Sequence, residues 1–504
     1  MQRGFTTQII AIIVLIGGIV LSGGVGLLLS ASASKNKLVY TERAEDGDPP
    51  EVALGIAMGA FRGLFVNFLW IRANELKEDG KYHEAVELSK AITTLQPRFP
   101  RVWVFHAWNL AYNVSVETNT PEERWQWVQR GIELLRDEGI PANPNDMLLH
   151  KELAWFWLHK VAGITDESNR YYKFRVAEEW TYVLGAPPTS GAASDFSREA
   201  AVERFANWLR PIVEAPATLD ELKESEPRVT ELVDALAEVG IDPSFEMLRA
   251  HALLEAAQKS YFADRIREGL DEQLSTMFAL MNNSAYEDAW AALLAHTRQR
   301  ILEDEYNMEP WRMVRYIERY GPMDYRHPAA HALYWSARGV DLGYTRYTES
   351  NLTDFDFVNS DRVVIQSIQE LYRSGLVYYD LAQDRLQNAA AYYSNGINVH
   401  FIDTYREAIE SRELFLNEDP AIWDGLSEAE REARRDRARL LWAEQGKRPY
   451  RMFAAGYENF LRDSIRYLYR RGDDEGARKY HTKLTEWGGQ NVNDPAKWAE
   501  YGQT

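Results

Sequence analysis

Residues Val66 to Phe99 read VNFLWIRANELKEDGKYHEAVELSKAITTLQPRF. Leu69, Ala73 and Leu76 recur at helical spacing, and so do Tyr82, Ala85 and Ile92 after Gly80. That spacing predicts two amphipathic helices joined by a tight turn. Gly80 ends the first helix, because a helix C-terminus commonly closes in the left-handed region. Ala73 and Ala85 are small where the two helices would touch. Pro97 stops the second helix, since its ring clashes with the preceding turn. Strand signals are sparse beyond residue 50, and helical stretches divided by Gly, Pro and Asn recur along the chain.

The register carries on. Pro100 opens a second unit in which Trp103 and Ala107 take the places of Leu69 and Ala73. Its second helix is expected over Pro121 to Arg136, with proline at the first helical position. Leu148 to Val161 and Tyr171 to Leu184 form a third pair. Near the C-terminus, Leu461 to Leu484 repeats the pattern, with Gly472, Ala477 and Leu484 in the places of Gly80, Ala85 and Ile92.

This arrangement resembles the tetratricopeptide repeat (TPR), a 34-residue helix–turn–helix unit, in a membrane-anchored bacterial setting. Arg72 and Ser89 depart from it, where Leu and a bulky apolar residue are usual. The resemblance implies an all-α solenoid whose inner wall comes mainly from the first helix of each pair. Carried over residue by residue, the first unit contributes Asn67, Trp70, Asn74 and Lys77. The second contributes Arg101, Val104, Trp108 and Tyr112. Amides for a peptide backbone, aromatic rings for its side chains and cations for its acids suit an extended protein segment as partner. The competing reading is that Trp70 and Trp108 pack between repeats. Trp125, Trp127, Trp155 and Trp157 divide similarly between core and surface.

Before the repeats, Ile9 to Leu29 is an uncharged run, IIAIIVLIGGIVLSGGVGLLL, long enough as a helix to cross ~30 Å of hydrocarbon. It reads as an uncleaved signal anchor over residues 1–34, followed by a polar linker at 35–50. The small residues Ala31, Ser32 and Ala33 also fit a cleavage site, the alternative reading. A short head before a large C-terminal body favours a single-pass protein of the bacterial cell membrane with an extracytoplasmic body. Gly55, Gly59 and Gly63 recur every fourth residue in the apolar stretch Val52–Ile71, a stripe that would let a membrane helix pack closely. Tight packing of the first helix of the body explains the same stripe.

Between the better repeats the pattern loosens. Residues 51–184 are read as repeats and 185–195 as a linker, with 196–326 as a less regular helical region. Residues 327–504 again hold TPR-like units. Pro328–Gly339 and Asp361–Arg373 form one pair there, separated by a polar and aromatic insertion. Asn395-Gly396, flanked by Tyr393, Ile397, Val399 and Phe401, predicts one small β-hairpin near 391–402. Ser427 and Glu430 spell a capping box.

Charge and composition narrow the function. The chain has 57 basic and 76 acidic residues, a net charge of −19. Residues 1–50 sum to zero, so the whole imbalance lies beyond them and argues against nucleic acid as partner. With no cysteine in its 504 residues, disulfides, thiol catalysis and Cys-ligated metals are excluded. Phosphate-loop, nucleophile-elbow, zinc-helix and calcium-loop patterns are absent from the sequence. No catalytic residue, metal ligand or cofactor is expected. His327 and His331, with Asp324, invite a metal reading, but Pro328 takes His327 out of helical register. They are read instead as a cap and a packed helix residue. His400 is a lone histidine, and the Asp354–Asp356 pair is read as surface charge. The expected function is a membrane-anchored scaffold that binds protein partners. An envelope glycan binder, or an enzyme with its site in the irregular middle, is the alternative.

Overall fold

The computed structural model describes residues 59–188, 197–258, 269–346, 355–381, 393–410 and 451–486, with Gly17, Gly18, Ser427 and residues 429–430. It is mostly helical, with one two-stranded antiparallel sheet among the described residues. Two compact units divide it: Met1–Phe156 with Trp335–Ser360, and Trp157–Tyr334 with Asp361–Thr504. No described helix is long and apolar enough to cross a membrane. The 9–29 run, apart from its helical Gly17 and Gly18, lies outside the described residues, as does Gly55.

The first unit is built from helix pairs. Gly59–Glu78 and Tyr82–Leu95 pack side by side. Gly80 between them has φ +75°, the left-handed turn expected of it, and any side chain there would be strained. Ala73, Ala85 and Ile92 are fully buried at the seam. Ser89 is buried too, its hydroxyl donating to the Ala85 carbonyl at 2.6 Å. That bond satisfies the polar group at a position where an apolar residue is usual.

Pro100–Trp108 follows, with Pro100 in its first turn. The Pro97 carbonyl accepts from Trp103 Nε1 at 2.6 Å and from Asn143 Nδ2 at 2.8 Å, which pins the turn between pairs. Pro121–Glu133 packs back on this helix, capped by the Thr120 hydroxyl. Three wide turns with i→i+5 bonding, Asn109–Val114, Leu134–Gly139 and Phe156–Val161, extend helices of the repeats. Met147–Trp155 begins the third pair, capped by Asp146.

Gly339 was expected to close a helix. Instead Pro328–Arg346 runs on past it. A Cβ at Gly339 would lie 3.0 Å from the His150 Cβ, so this glycine serves close approach between helices rather than termination. Likewise Phe355–Ser374 begins before the expected Asp361.

In the second unit, Asn169–Leu184, Arg198–Glu214, Glu287–Asp304 and Pro310–Tyr320 enclose an aromatic core. Trp180 lies at its centre, against Tyr306 (5.1 Å), Tyr325 (5.8 Å) and His331 (4.3 Å). The last pair, Arg451–Arg471 and Asp474–Glu486, turns at Gly472 with φ +88°, repeating the solution used at Gly80.

The predicted hairpin needs correcting. Ser394–Gly396 is a strand, and its partner is Leu376–Tyr378, with Asn395 opposite Val377. Asn395-Gly396 therefore forms a pairing edge, not a turn, and Gly396 has no positive φ. The aromatic ring of Tyr378 lies over Gly396, 3.4 Å from where a Cβ would stand, which explains a glycine within a strand. Val399–Phe401, expected to be extended, is a single helical turn capped by Asn398. The capping box holds: Ser427 N–H donates to Glu430 Oε2 at 2.8 Å and Glu430 N–H to the Ser427 hydroxyl at 3.4 Å.

Candidate functional site

The residues singled out on the leading helices of the pairs lie within the first unit. From Gly59–Glu78 come Asn67, which is exposed, and Trp70, Asn74 and Lys77, which are half-buried. Trp70 packs against Phe105 of the next leading helix, ring centroids 4.7 Å apart. The Lys77 ammonium lies over the same Phe105 ring at 5.5 Å, within cation–π range. Asn74 spends its amide donor on the Trp70 carbonyl at 2.9 Å. Its oxygen is then the atom it can offer outward. Gly59 and Gly63 fall in the same helix.

From the second leading helix, Arg101 is exposed, and Val104, Trp108 and Tyr112 are half-buried. Trp108 and Tyr112 stack at 4.1 Å with planes 17° apart. Tyr112 is carried by the wide turn that begins directly after Trp108. Such turns offset a helix face by one residue and are frequent at functional sites.

The third leading helix completes the wall with two residues that the sequence reading did not select. Glu152 Oε2 accepts from Trp108 Nε1 at 2.9 Å, and its other oxygen is 2.5 Å from Lys151 Nζ. Phe156 meets Tyr112 edge-on at 5.3 Å. Trp108 to Glu152 is a step of 44 residues, and Tyr112 to Phe156 repeats that step. Applying the inner-face positions to the third pair would have found both. Phe105 was missed for another reason: it follows the template position, Val104, by one residue.

Three helices thus present Trp70, Phe105, Trp108 and Tyr112 in series. Lys77 stands towards one end and the Glu152 carboxylate is bonded at the other. Of the remaining tryptophans, Trp125 and Trp157 are buried, and Trp127 and Trp155 are half-buried. Trp127 belongs to a second helix, meeting His83 at 5.6 Å and Arg130 at 4.9 Å.

In the second unit, a serine–histidine pair invites a catalytic reading. Ser374 Oγ is 3.1 Å from His327 Nε2 and 2.6 Å from Glu370 Oε1. However, His327 Nδ1 accepts the Ala329 N–H at 3.1 Å. The proton of the neutral ring therefore sits on Nε2 and points at Ser374, the wrong polarity for a general base. His327 is the cap expected of it at the start of Pro328–Arg346. His331 packs between Trp157 and Trp180. Asp324 is chelated by Arg326 at 2.7 to 3.1 Å. Among the described residues, no group of three acidic or histidine side chains is placed to hold a metal ion.

Burial, helped by the Lys173 charge, pushes the His327 pKa down to about 3. The unfolded chain would protonate this ring near the ordinary value of ~6.5. Between the two values the unfolded state binds the extra proton. Stability is therefore full above pH ~6.5 and falls as pH drops towards 3, by ~1.4 kcal/mol per pH unit for one histidine. His327→Asn keeps an acceptor for Ala329 and removes the titration. Chemical denaturation between pH 6 and 4.5 should show a pH slope shallower than wild type by about one proton.

No family model matches the chain, and no curated protein or solved structure is similar to it.

Proposed function

We propose that the chain is a helical-repeat adaptor, held at a membrane by its N-terminal apolar run, whose leading helices bind an extended segment of a partner protein. One observation carries this reading: half-exposed aromatic rings on successive leading helices, Trp70 against Phe105 and Trp108 against Tyr112, form one series. A wall of this kind offers large, rigid contact area at low entropic cost. Lys77 can pair with an acidic side chain and the Asn74 oxygen with a backbone N–H. The TPR-like pairing and the uncharged 21-residue run at Ile9–Leu29 support the scaffold and anchor parts of the reading.

Extended peptides selected from a displayed library on the full chain provide the test. Trp70→Ala and Lys77→Ala should each weaken the selected peptides about tenfold, the loss typical of an interface hot spot. Trp127→Ala, on a second helix, should leave them unchanged. Trp108→Ala should weaken them too, with the helical circular dichroism intact. Unchanged affinity in the Trp70 and Lys77 variants would reject the wall as the binding surface. Loss of helicity in Trp108→Ala would assign that ring to packing.

A further inference from the structure

The second unit contains a cleft of about 870 Å³ that the adaptor function does not use. Its floor is the strand Leu376–Tyr378 and the residues that follow. Its walls come from Pro187–Pro188, Arg204–Phe205, and the end of the Arg451–Arg471 helix with Tyr467, Arg470 and Arg471. In volume it lies in the range of small-molecule sites.

The lining inverts the charge of the chain. Arg204, Arg326, Arg470 and Arg471 face two acids, Asp324 and Asp380. The protein as a whole is at −19, so a local cationic excess is not what a solvated surface of this composition would show. A cleft with such an excess attracts an oxyanion, and guanidinium forks match carboxylate and phosphate geometry. Arg326 has a separate task. It binds both oxygens of Asp324 and donates to the carbonyls of Val377 at 3.4 Å and Tyr379 at 3.3 Å. Those bonds occupy the outer edge of the strand, so a peptide could not add there as a further strand.

The rest of the lining favours a ring. Tyr378 is 55% exposed, and Phe205, Tyr467, Pro187 and Pro188 supply further flat apolar faces. Asp380 and His400, also in the lining, suit neighbouring hydroxyls, which a carboxylate accepts in pairs. A polyphosphate would call for cations throughout; a ligand with one acidic group and several hydroxyls fits arginines beside an aspartate.

We propose that this cleft binds an acidic sugar, a pyranose ring bearing a carboxylate or a phosphate. Calorimetric titration of the full chain with glucuronate, glucose 6-phosphate and glucose tests it. One or both acidic sugars should bind, at least about tenfold more tightly than glucose. Which of the two binds assigns carboxylate or phosphate as the recognised group. The double substitution Arg470→Gln, Arg471→Gln should weaken the acidic sugar by about tenfold or more, the scale of a lost charged hydrogen bond. Tyr378→Ala should weaken acidic sugar and glucose together, and Trp70→Ala, on the other unit, neither. Absence of binding by both acidic sugars, equal binding of glucose, or indifference to the arginine substitutions would overturn the proposal. Each of these results leaves the peptide wall untouched, because that surface is read with different ligands.

Discussion

Asp166→Asn is expected to destabilise the second unit by about 3–5 kcal/mol, the cost of removing one partner from a buried ion pair. Lys160 Nζ lies 2.7 Å from Asp166 Oδ2, and both side chains are 5% exposed. Asp166 Oδ1 accepts from the Ser168 N–H at 2.9 Å and the Tyr172 hydroxyl at 3.2 Å. The amide can still accept one of these bonds, but it offers no charge to oppose the Lys160 ammonium. Desolvation of that ammonium is then uncompensated, and this term outweighs the lost hydrogen bonds, at ~1 kcal/mol each. Lys160→Met with Asp166→Asn should recover much of the loss, since a neutral pair removes the buried charge as well. Thermal and urea unfolding of the two variants measure the difference. Equal stability of wild type and Asp166→Asn would show that the pair is open to water.

Gly131→Val is expected to separate the second helix pair at a cost of about 1–3 kcal/mol. A Cβ at Gly131 would stand 2.9 Å from the Ala107 carbonyl oxygen and 3.0 Å from the Ala111 Cβ. The first neighbour is backbone, so it can move only with its helix. Even alanine meets this obstacle. Against it stands the ~1 kcal/mol that alanine gains over glycine in a helix, so Gly131→Ala should lie near neutral and Gly131→Val well below. Melting followed by circular dichroism checks the order. A valine variant as stable as wild type would mean that the two helices do not approach at Gly131.

Those two sites differ in how far the sequence exposes them. Helix pairing was legible because it rests on local, repeating physics: small residues at Ala73 and Ala85, a left-handed glycine at Gly80, and the same turn again at Gly472. The cap at His327 was legible because Pro328 fixes what precedes it. The Lys160–Asp166 pair was not, since its partners face each other across an irregular turn without a period.

The sheet shows a different limit. Asn395-Gly396 has strong local preference for a turn, but tertiary pairing with Leu376–Tyr378 decides its conformation. At Gly339 a helix-ending residue is overruled by packing against His150. In the wall, the first two leading helices were readable, and the third yields Glu152 and Phe156 only when the 44-residue step replaces the shorter repeat. Phe105 depends on how the leading helices settle against each other, which a fixed template does not encode.

The peptide wall is tested most directly by photo-crosslinking. A selected peptide carrying a benzophenone at successive positions is irradiated on the full chain, and the attachment sites are read by mass spectrometry. Attachment should fall on the leading helices, at or beside Trp70, Lys77, Phe105 and Tyr112, and should advance along them as the probe moves along the peptide. Attachment confined to Trp127 and the second helices, or scattered over the second unit, would contradict the wall as the binding surface.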